Sequence, residues 1–175
     1  MKTLVLDGQR LTLDNAVAAL KSGAVFKVSA SAKKKVQKAR RVIEDAIRDK
    51  KVIYGVTTGF GAFSDVVISR SQGKQLQKNI LMSHAAGVGP PFSDEVVRCI
   101  LLLIINSKAK GYSGLRLSTL DALLRLLNKG VCPVVPEQGS VGASGDLAPL
   151  AHLALVLIGK GRARYRGRTL SGAQA

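Results

Sequence analysis

A run of small residues, Gly139-Ser140-Val141-Gly142-Ala143-Ser144-Gly145, leads directly into Asp146-Leu147-Ala148-Pro149-Leu150-Ala151-His152. By residue type alone this is a capped turn, or an anion site at a helix N-terminus, where backbone N–H groups lack intrahelical partners. Two other places carry groups able to move protons. Tyr54 stands before Gly55-Val56-Thr57-Thr58-Gly59-Phe60-Gly61, and Ser83-His84 stands before Ala85-Ala86-Gly87-Val88-Gly89. An isolated tyrosine in front of a glycine loop is ordinarily a packed strand residue. To act as a base at neutral pH, a tyrosine with an ordinary pKa of about 10 needs positive charge or hydrogen bonds around it. A lone histidine at a helix end is ordinarily a satisfied structural residue. The common catalytic constellations are missing: the chain has two histidines, no paired acids in a recognisable motif and no Ser/His/Asp spacing. His152, two turns into an apolar stretch, reads as structural.

The elements that must position these residues follow from periodicity and punctuation. Asp14 is expected to cap a short helix to Lys21 with Gly23 at its end, and Val25 to Val28 reads as a short strand. Ser29 or Ser31 begins an amphipathic helix to about Lys50, and Val52-Ile53-Tyr54 is a brief extended piece. The three glycines and two threonines after it exclude a stable helix. Helical character resumes from Gln75 to Ala86 and stops at Gly87, with Gly89-Pro90-Pro91 breaking it. Ser93 caps the next helix, with Asp94 and Glu95 where the dipole favours carboxylates. Its stretch Val96 to Ile105 is almost wholly apolar and therefore buried. Gly111-Tyr112-Ser113-Gly114 is a turn, and Ser118 begins a helix with an apolar stripe of Leu120, Leu123, Leu124 and Leu127 before Gly130. Val131 to Pro136 is extended, Glu137 to Gly145 a loop, and Asp146 to Ile158 an apolar helix whose Pro149 falls in the tolerant first turn. The fold class is mainly α with a few short β-strands, in one domain.

Composition narrows the function classes. The chain carries 27 Lys and Arg against 11 Asp and Glu, a net charge of +16, which taken alone suggests a nucleic-acid partner. Its distribution argues against one. Lys33, Lys34, Lys35, Lys38, Arg40, Arg41 and Arg48 alternate with apolar residues at helical spacing, as a solvated helix face does. Lys160, Arg162, Arg164, Arg166 and Arg168 alternate as a strand or hairpin does, and an aromatic content of 4% offers few stacking platforms. The apolar runs are far shorter than the roughly 20 residues of a membrane span. The first ten residues lack the layout of a signal peptide, so a cytoplasmic location is expected. Cys99 and Cys132 form neither a disulfide framework nor a metal-ligand spacing and read as reduced core thiols, so no metal is expected.

The string from Gly139 to His152 resembles, nearly residue for residue, the signature of the aromatic amino acid ammonia-lyases and aminomutases that carry a methylidene-imidazolone group. Further segments are similar to that family: the Tyr54 to Gly61 loop, Ser83 to Gly89, and Lys110-Gly111-Tyr112-Ser113-Gly114-Leu115-Arg116, the last without a chemical role. The resemblance covers nearly the whole chain from about Leu11. It implies that Ala143, Ser144 and Gly145 cyclise autocatalytically with loss of two waters: the Gly145 nitrogen attacks the Ala143 carbonyl, whose oxygen leaves as one, and Ser144 loses its hydroxyl as the other. Gly145 lacks a Cβ where the backbone bends most sharply, which suits that step. Asp146 either orients or deprotonates the Gly145 amide, or is simply a helix-capping carboxylate. The partial positive charge at the helix N-terminus favours electron density entering the ring.

The resemblance further implies that Tyr54 removes the β-proton of an amino acid. A Ser-His pair at Ser83-His84 marks the histidine branch, with His84 binding the substrate imidazole. The expected reaction is L-histidine to trans-urocanate and ammonia, with no metal or diffusible cofactor. The alternatives are a phenylalanine or tyrosine ammonia-lyase or aminomutase, and a catalytically inert interaction or regulatory half-subunit. Family members are longer chains of fumarase/aspartase-like helical fold that assemble as homotetramers. Residues 1–175 are thus expected to be the N-terminal portion, holding the cofactor-forming loop without the C-terminal helical bundle. Apolar helices deprived of that bundle predict self-association or a complementing C-terminal chain.

Overall fold

Five apolar residues of one helix, Val97, Leu101, Leu102, Ile105 and Ala109, are completely buried and form the centre of the molecule. Their spacing of three to four residues makes one stripe, and burying each of the large ones is worth about 1.5–3 kcal/mol. In the computed structural model, which describes residues 2–61, 64, 66–141 and 145–175, the elements in chain order are β1 (Thr3–Leu6), α1 (Leu13–Lys21), β2 (Val25–Val28), α2 (Ala30–Arg48), α3 (Arg70–His84), β3 (Val88–Pro91), α4 (Asp94–Ala109), α5 (Leu117–Lys129), β4 (Cys132–Pro133), β5 (Pro136–Gln138), α6 (Leu147–Leu157), β6 (Arg162–Tyr165) and β7 (Arg168–Ser171). The mainly α class expected from the sequence is what the chain adopts.

Helix α4 is the central element, with α1, α2, α5, β1 and β4 packed against it. Ser93 caps it through the Val96 amide at 3.4 Å, as the sequence indicates. Helix α5 turns its Leu120, Leu123 and Leu127 to the same core and ends on Gly130 at φ +69. Among the described residues the strands make three small sheets. Parallel β1 and β2 run from Thr3↔Val25 to Leu6↔Val28, joined by α1 as a crossover. Antiparallel β3 and β5 pair Val88 with Gln138 and Pro91 with Pro136. The third sheet has the order β4-β6-β7, and its β6–β7 hairpin closes Tyr165↔Arg168 over Arg166 and Gly167, at φ +49 and +74, a two-residue turn with the twist hairpins require.

Several boundaries differ from expectation for local reasons. Thr12, not Asp14, caps α1, its hydroxyl taking the Asn15 amide at 3.2 Å, and Asp14 sits inside the first turn. Helix α3 starts at Arg70 rather than Gln75, because Ser69 and Gln72 form a reciprocal capping box upstream of the apolar positions; it also ends earlier, at His84. Helix α5 begins at Leu117 behind Arg116, which supplies no side-chain cap, so Ser118 lies within it. Gly89-Pro90-Pro91 does stop a helix but then serves as part of edge strand β3, where missing proline N–H groups cost little. Val52-Ile53-Tyr54 is no strand: the Ile53 carbonyl takes the amides of Val56 and Thr57, both at 3.0 Å, and the chain coils into a turn. Strand β1 went unread, since Met1 to Arg10 carries little alternation.

Candidate active site

The N-terminus of α6 has an unusual entry. Gly145 lies at φ +93, and a methyl group built on it would meet nothing among the described residues within 4 Å. That φ is well beyond the left-handed helical basin, so it is glycine's backbone freedom and not crowding that fits this residue to its place. Asp146 follows at φ −83, ψ +66, with the Leu147 amide donating to the Gly145 carbonyl at 3.0 Å. This is an inverse γ-turn, from which the helix starts without a side-chain cap. The capping alternative for Asp146 therefore does not hold, and its carboxylate instead accepts the Ser140 hydroxyl. Ser140 was not singled out from the sequence, where a serine in a Gly-Ser run carries no signal of its own. Ala143 and Ser144 lie outside the described residues.

The end of α3 is brought against this loop. Helix α3 packs on α6, and the β3–β5 ladder runs beside them. A methyl on Gly139 would lie 3.0 Å from Gly87 Cα and 3.1 Å from Ala148 Cβ, and one on Gly87 3.1 Å from His152 Nε2. The backbones thus meet with no room for a side chain, and the Gly87 amide donates to His152 Nε2 at 3.0 Å. His152 was expected to be structural, and this bond is its structural work; burial holds its pKa below the ordinary 6.5.

His84 is half-buried at the last turn of α3. Its Nδ1 lies 2.9 Å from the Ile80 carbonyl and 3.1 Å from Ser83 Oγ, and the Ser83 hydroxyl also donates to Ile80, at 3.1 Å. A carbonyl can only accept, so Nδ1 carries the proton and neutral His84 keeps its lone pair on Nε2. Among the described residues Nε2 has no partner. The imidazole is therefore fixed at one edge and offers an acceptor at the other.

Tyr54 is 62% exposed in a loop tied by hydroxyls. Thr57 Oγ1 takes the Ile53 amide at 2.8 Å and donates to the Lys51 carbonyl at 2.6 Å. Thr58, only 1% exposed, takes the Gly55 amide at 3.2 Å and bridges to Val67. These two threonines are as important to the loop's shape as its glycines, a role sequence reading missed. The Tyr54 ring meets Phe60 edge-on at 5.7 Å, and its hydroxyl accepts the Gly61 amide at 3.4 Å. Its described contacts are within its own loop, so the structure joins the turn after His84 to Gly139 and to α6 but records no contact of Tyr54 with either.

The Lys110 to Arg116 turn has a packing role. Gly111, at φ +82, would place a Cβ 2.6 Å from Lys35 Cβ, and the Gly114 carbonyl accepts Arg40 Nη1 at 3.3 Å, docking α2. Part of the basic charge near the C-terminus is also used internally: Arg164 bonds Asp94 and the Phe92 carbonyl, both at 2.5 Å. Burial pushes the Cys132 thiol up to about 11, in keeping with a core cysteine. Among the described residues no cluster of three or more His, Cys, Asp or Glu is placed to hold a metal, and no helix is long and apolar enough to cross a membrane.

Comparison with known proteins gives a consistent grouping. The model of the family described as aromatic amino acid lyase matches residues 11–175. A histidine ammonia-lyase of Alkaliphilus oremlandii (strain OhILAs) is 51% identical over 175 residues, all of this chain and 34% of that protein. One of Streptococcus sanguinis (strain SK36) is 52% identical over 170 residues, 97% of this chain and 33% of that protein. Among solved structures, histidine ammonia-lyase from Trypanosoma cruzi superposes with a TM-score of 0.90 at 37% identity, over 99% of this chain and 34% of that one. The ergothioneine-degrading enzyme ergothionase from Treponema denticola reaches 0.94 at 31% identity, over 99% and 35%. The chain spans about a third of the length of the curated relatives it matches. With the family model matched over residues 11–175, nearly its full length, this chain belongs to the aromatic amino acid lyase family.

Proposed function

We propose that the chain is the N-terminal third of a histidine ammonia-lyase, an enzyme that converts L-histidine to trans-urocanate and ammonia. The fold alone does not select the substrate, since an ergothioneine-degrading enzyme shares it at a TM-score of 0.94. The observation that carries the choice is the Ser83-His84 arrangement, in which Nδ1 is committed to the Ile80 carbonyl and Nε2 is left as an acceptor. An imidazole substrate has a ring N–H to donate there, whereas a phenyl ring has none; a tyrosine phenol could also donate, and the histidine ammonia-lyase relatives at 51% and 52% identity favour the imidazole over it.

Ala143, Ser144 and Gly145 are the residues that would form the methylidene-imidazolone, and the fit is supported by Gly145's open φ +93 position and by an Asp146 carboxylate not engaged in capping. Once formed, that group supplies an electrophile that no ordinary side chain provides. Asp146, oriented by Ser140, is positioned in sequence to draw the proton from the Gly145 amide during ring closure. The α6 N-terminus adds partial positive charge beside the loop. Tyr54 takes the β-proton of the substrate, and its exposed ring leaves the hydroxyl accessible to substrate and to the remaining two-thirds of the protein. The family resemblance extends the reading to a cytoplasmic homotetramer with sites completed by that remainder.

Co-expression of this chain with the C-terminal two-thirds of the Alkaliphilus oremlandii relative tests the reading. The expected result is a deficit of two waters mapped to Ala143-Ser144-Gly145, together with urocanate absorbance that appears with L-histidine and not with phenylalanine or tyrosine. An assembled protein without that deficit, or one that deaminates phenylalanine or tyrosine in preference to histidine, overturns it.

A further inference from the structure

His84 is fixed to its own helix, but something must fix that helix end to the loop in front of α6. Among the described side chains of α3 none is buried, so the core does not hold its C-terminal turn. Besides the packing of α3 on α6, its exit is held by local contacts: the Gly87 amide on His152 Nε2 at 3.0 Å, and the close approach of Gly87 to Gly139. We propose that His152 is a positioning residue for His84, holding the turn that leaves α3 against α6, the helix that follows Gly145. This rests on the histidine ammonia-lyase reading above, and deepens it by assigning a residue outside the reacting groups.

The chemistry of the bond restricts what stands at position 152. The ring must present an unprotonated Nε2 to an amide donor, which places its proton on Nδ1. A second constraint comes from space, since a methyl on Gly87 would lie 3.1 Å from that nitrogen and 3.2 Å from the Gln138 carbonyl. Amide and acceptor therefore meet where the Gln138 carbonyl and the His152 ring leave no room for a Cβ on Gly87. His152 lies in the second turn of the helix that begins after the loop, and Gly87 is three residues past His84. One hydrogen bond thus links the imidazole that receives the substrate ring to the helix that carries the electrophile-forming residues. Because His84 keeps its own Ile80 bond, losing His152 moves the imidazole without changing its tautomer. Substrate affinity is then affected more than the chemical step.

The test uses the co-expressed assembly for kinetics and the 15N-labelled 175-residue chain for amide exchange. His152→Leu should raise KM for L-histidine about tenfold with a smaller change in kcat, and speed exchange of the Gly87 amide about tenfold, the equivalent of one lost hydrogen bond. His152→Gln, whose side-chain oxygen can accept the same amide, should restore both. Unchanged exchange at the Leu101 amide of α4 shows that the core is intact in each variant. The 15N shifts of wild-type His152 should report the Nδ1–H tautomer, a readout that needs no variant to fold. The proposal is overturned if His152→Leu leaves KM or Gly87 exchange unchanged, if His152→Gln behaves like His152→Leu, or if His152 is the Nε2–H tautomer. An assembly that turns over no histidine refutes the proposed function, and Gly87 exchange still decides whether His152 holds the turn.

Discussion

Replacing Asn128 with alanine probes how the small β1–β2 sheet is held to the helical core. Strand β2 pairs with β1 through its alternate residues, the Val25 amide reaching Lys2 and the Ser29 amide reaching Leu6, both at 2.9 Å. Phe26 therefore points its amide and carbonyl the other way, where no strand follows. Asn128, at the end of α5, fills the place of a third strand: its Oδ1 takes the Phe26 amide at 2.8 Å and its Nδ2 gives to the Phe26 carbonyl at 2.9 Å. Each such bond contributes about 1 kcal/mol net, and an unsatisfied buried partner costs about 1–3 kcal/mol. These two are only part-buried, so water replaces them in part, and the expected loss for Asn128→Ala is about 1.5–3 kcal/mol. Asn79→Ala is the control, since its bond to Gln75 at 2.7 Å is exposed on α3 and worth about 0.2–0.5 kcal/mol. Urea denaturation followed by circular dichroism measures both. Equal losses in the two variants, or less than about 0.5 kcal/mol for Asn128→Ala, would refute the reasoning.

Two further outcomes follow from the site. Gly145→Ala introduces no clash with the described residues, so the expected cost is backbone strain, about 1–3 kcal/mol, and the two-water deficit should form at least about fivefold more slowly by intact mass; formation at the wild-type rate would show that φ +93 is not the reacting geometry. His152, with its folded pKa lowered by burial, binds fewer protons folded than unfolded between the two values. Its contribution to stability is full above the unfolded value of about 6.5 and is lost as pH falls through that value to the folded one. The urea midpoint of the chain should therefore drop across that window, and His152→Gln should remove that part of the drop.

Legibility in the sequence tracked how local each determinant is. The stripe of α4 and the Ser93 cap were readable because periodicity and capping chemistry lie within a few residues of the feature they produce. The α3 start was misplaced because the capping box at Ser69 and Gln72 precedes a helix with no buried stripe to announce it. Strand β1 was missed because its stability comes from β2 across a crossover, not from its own alternation. At the site, the residue types in the signature pointed to Gly145, Asp146, His84 and Tyr54, but neither the γ-turn at Asp146 nor the Gly87–His152 bond has a sequence signature. The bond joins groups 65 residues apart, and the turn, though local, follows from backbone angles that no residue pattern announces.

The division between core and site has a consequence for how this family domain can vary. The main buried cluster draws on β1, α1, β2, α2, α4, α5, β4 and α6, with its α2 contribution ending at Val36 and its next residues beginning with Phe92 and Val97. The stretch between, which holds Tyr54 and His84, adds nothing to that cluster among the described residues. Apart from buried Ala46 and Thr58 and the tightly packed Gly87, substitutions there can change chemistry with little loss of stability, since the large costs come from disturbing packed groups. The opposite holds for α6, whose Leu153 belongs to the core while His152 beside it faces α3 through Gly87. That helix alone carries the loop, touches the core and meets the end of α3, so it is where a change in packing is converted into a change in the relative placement of His84 and Gly145.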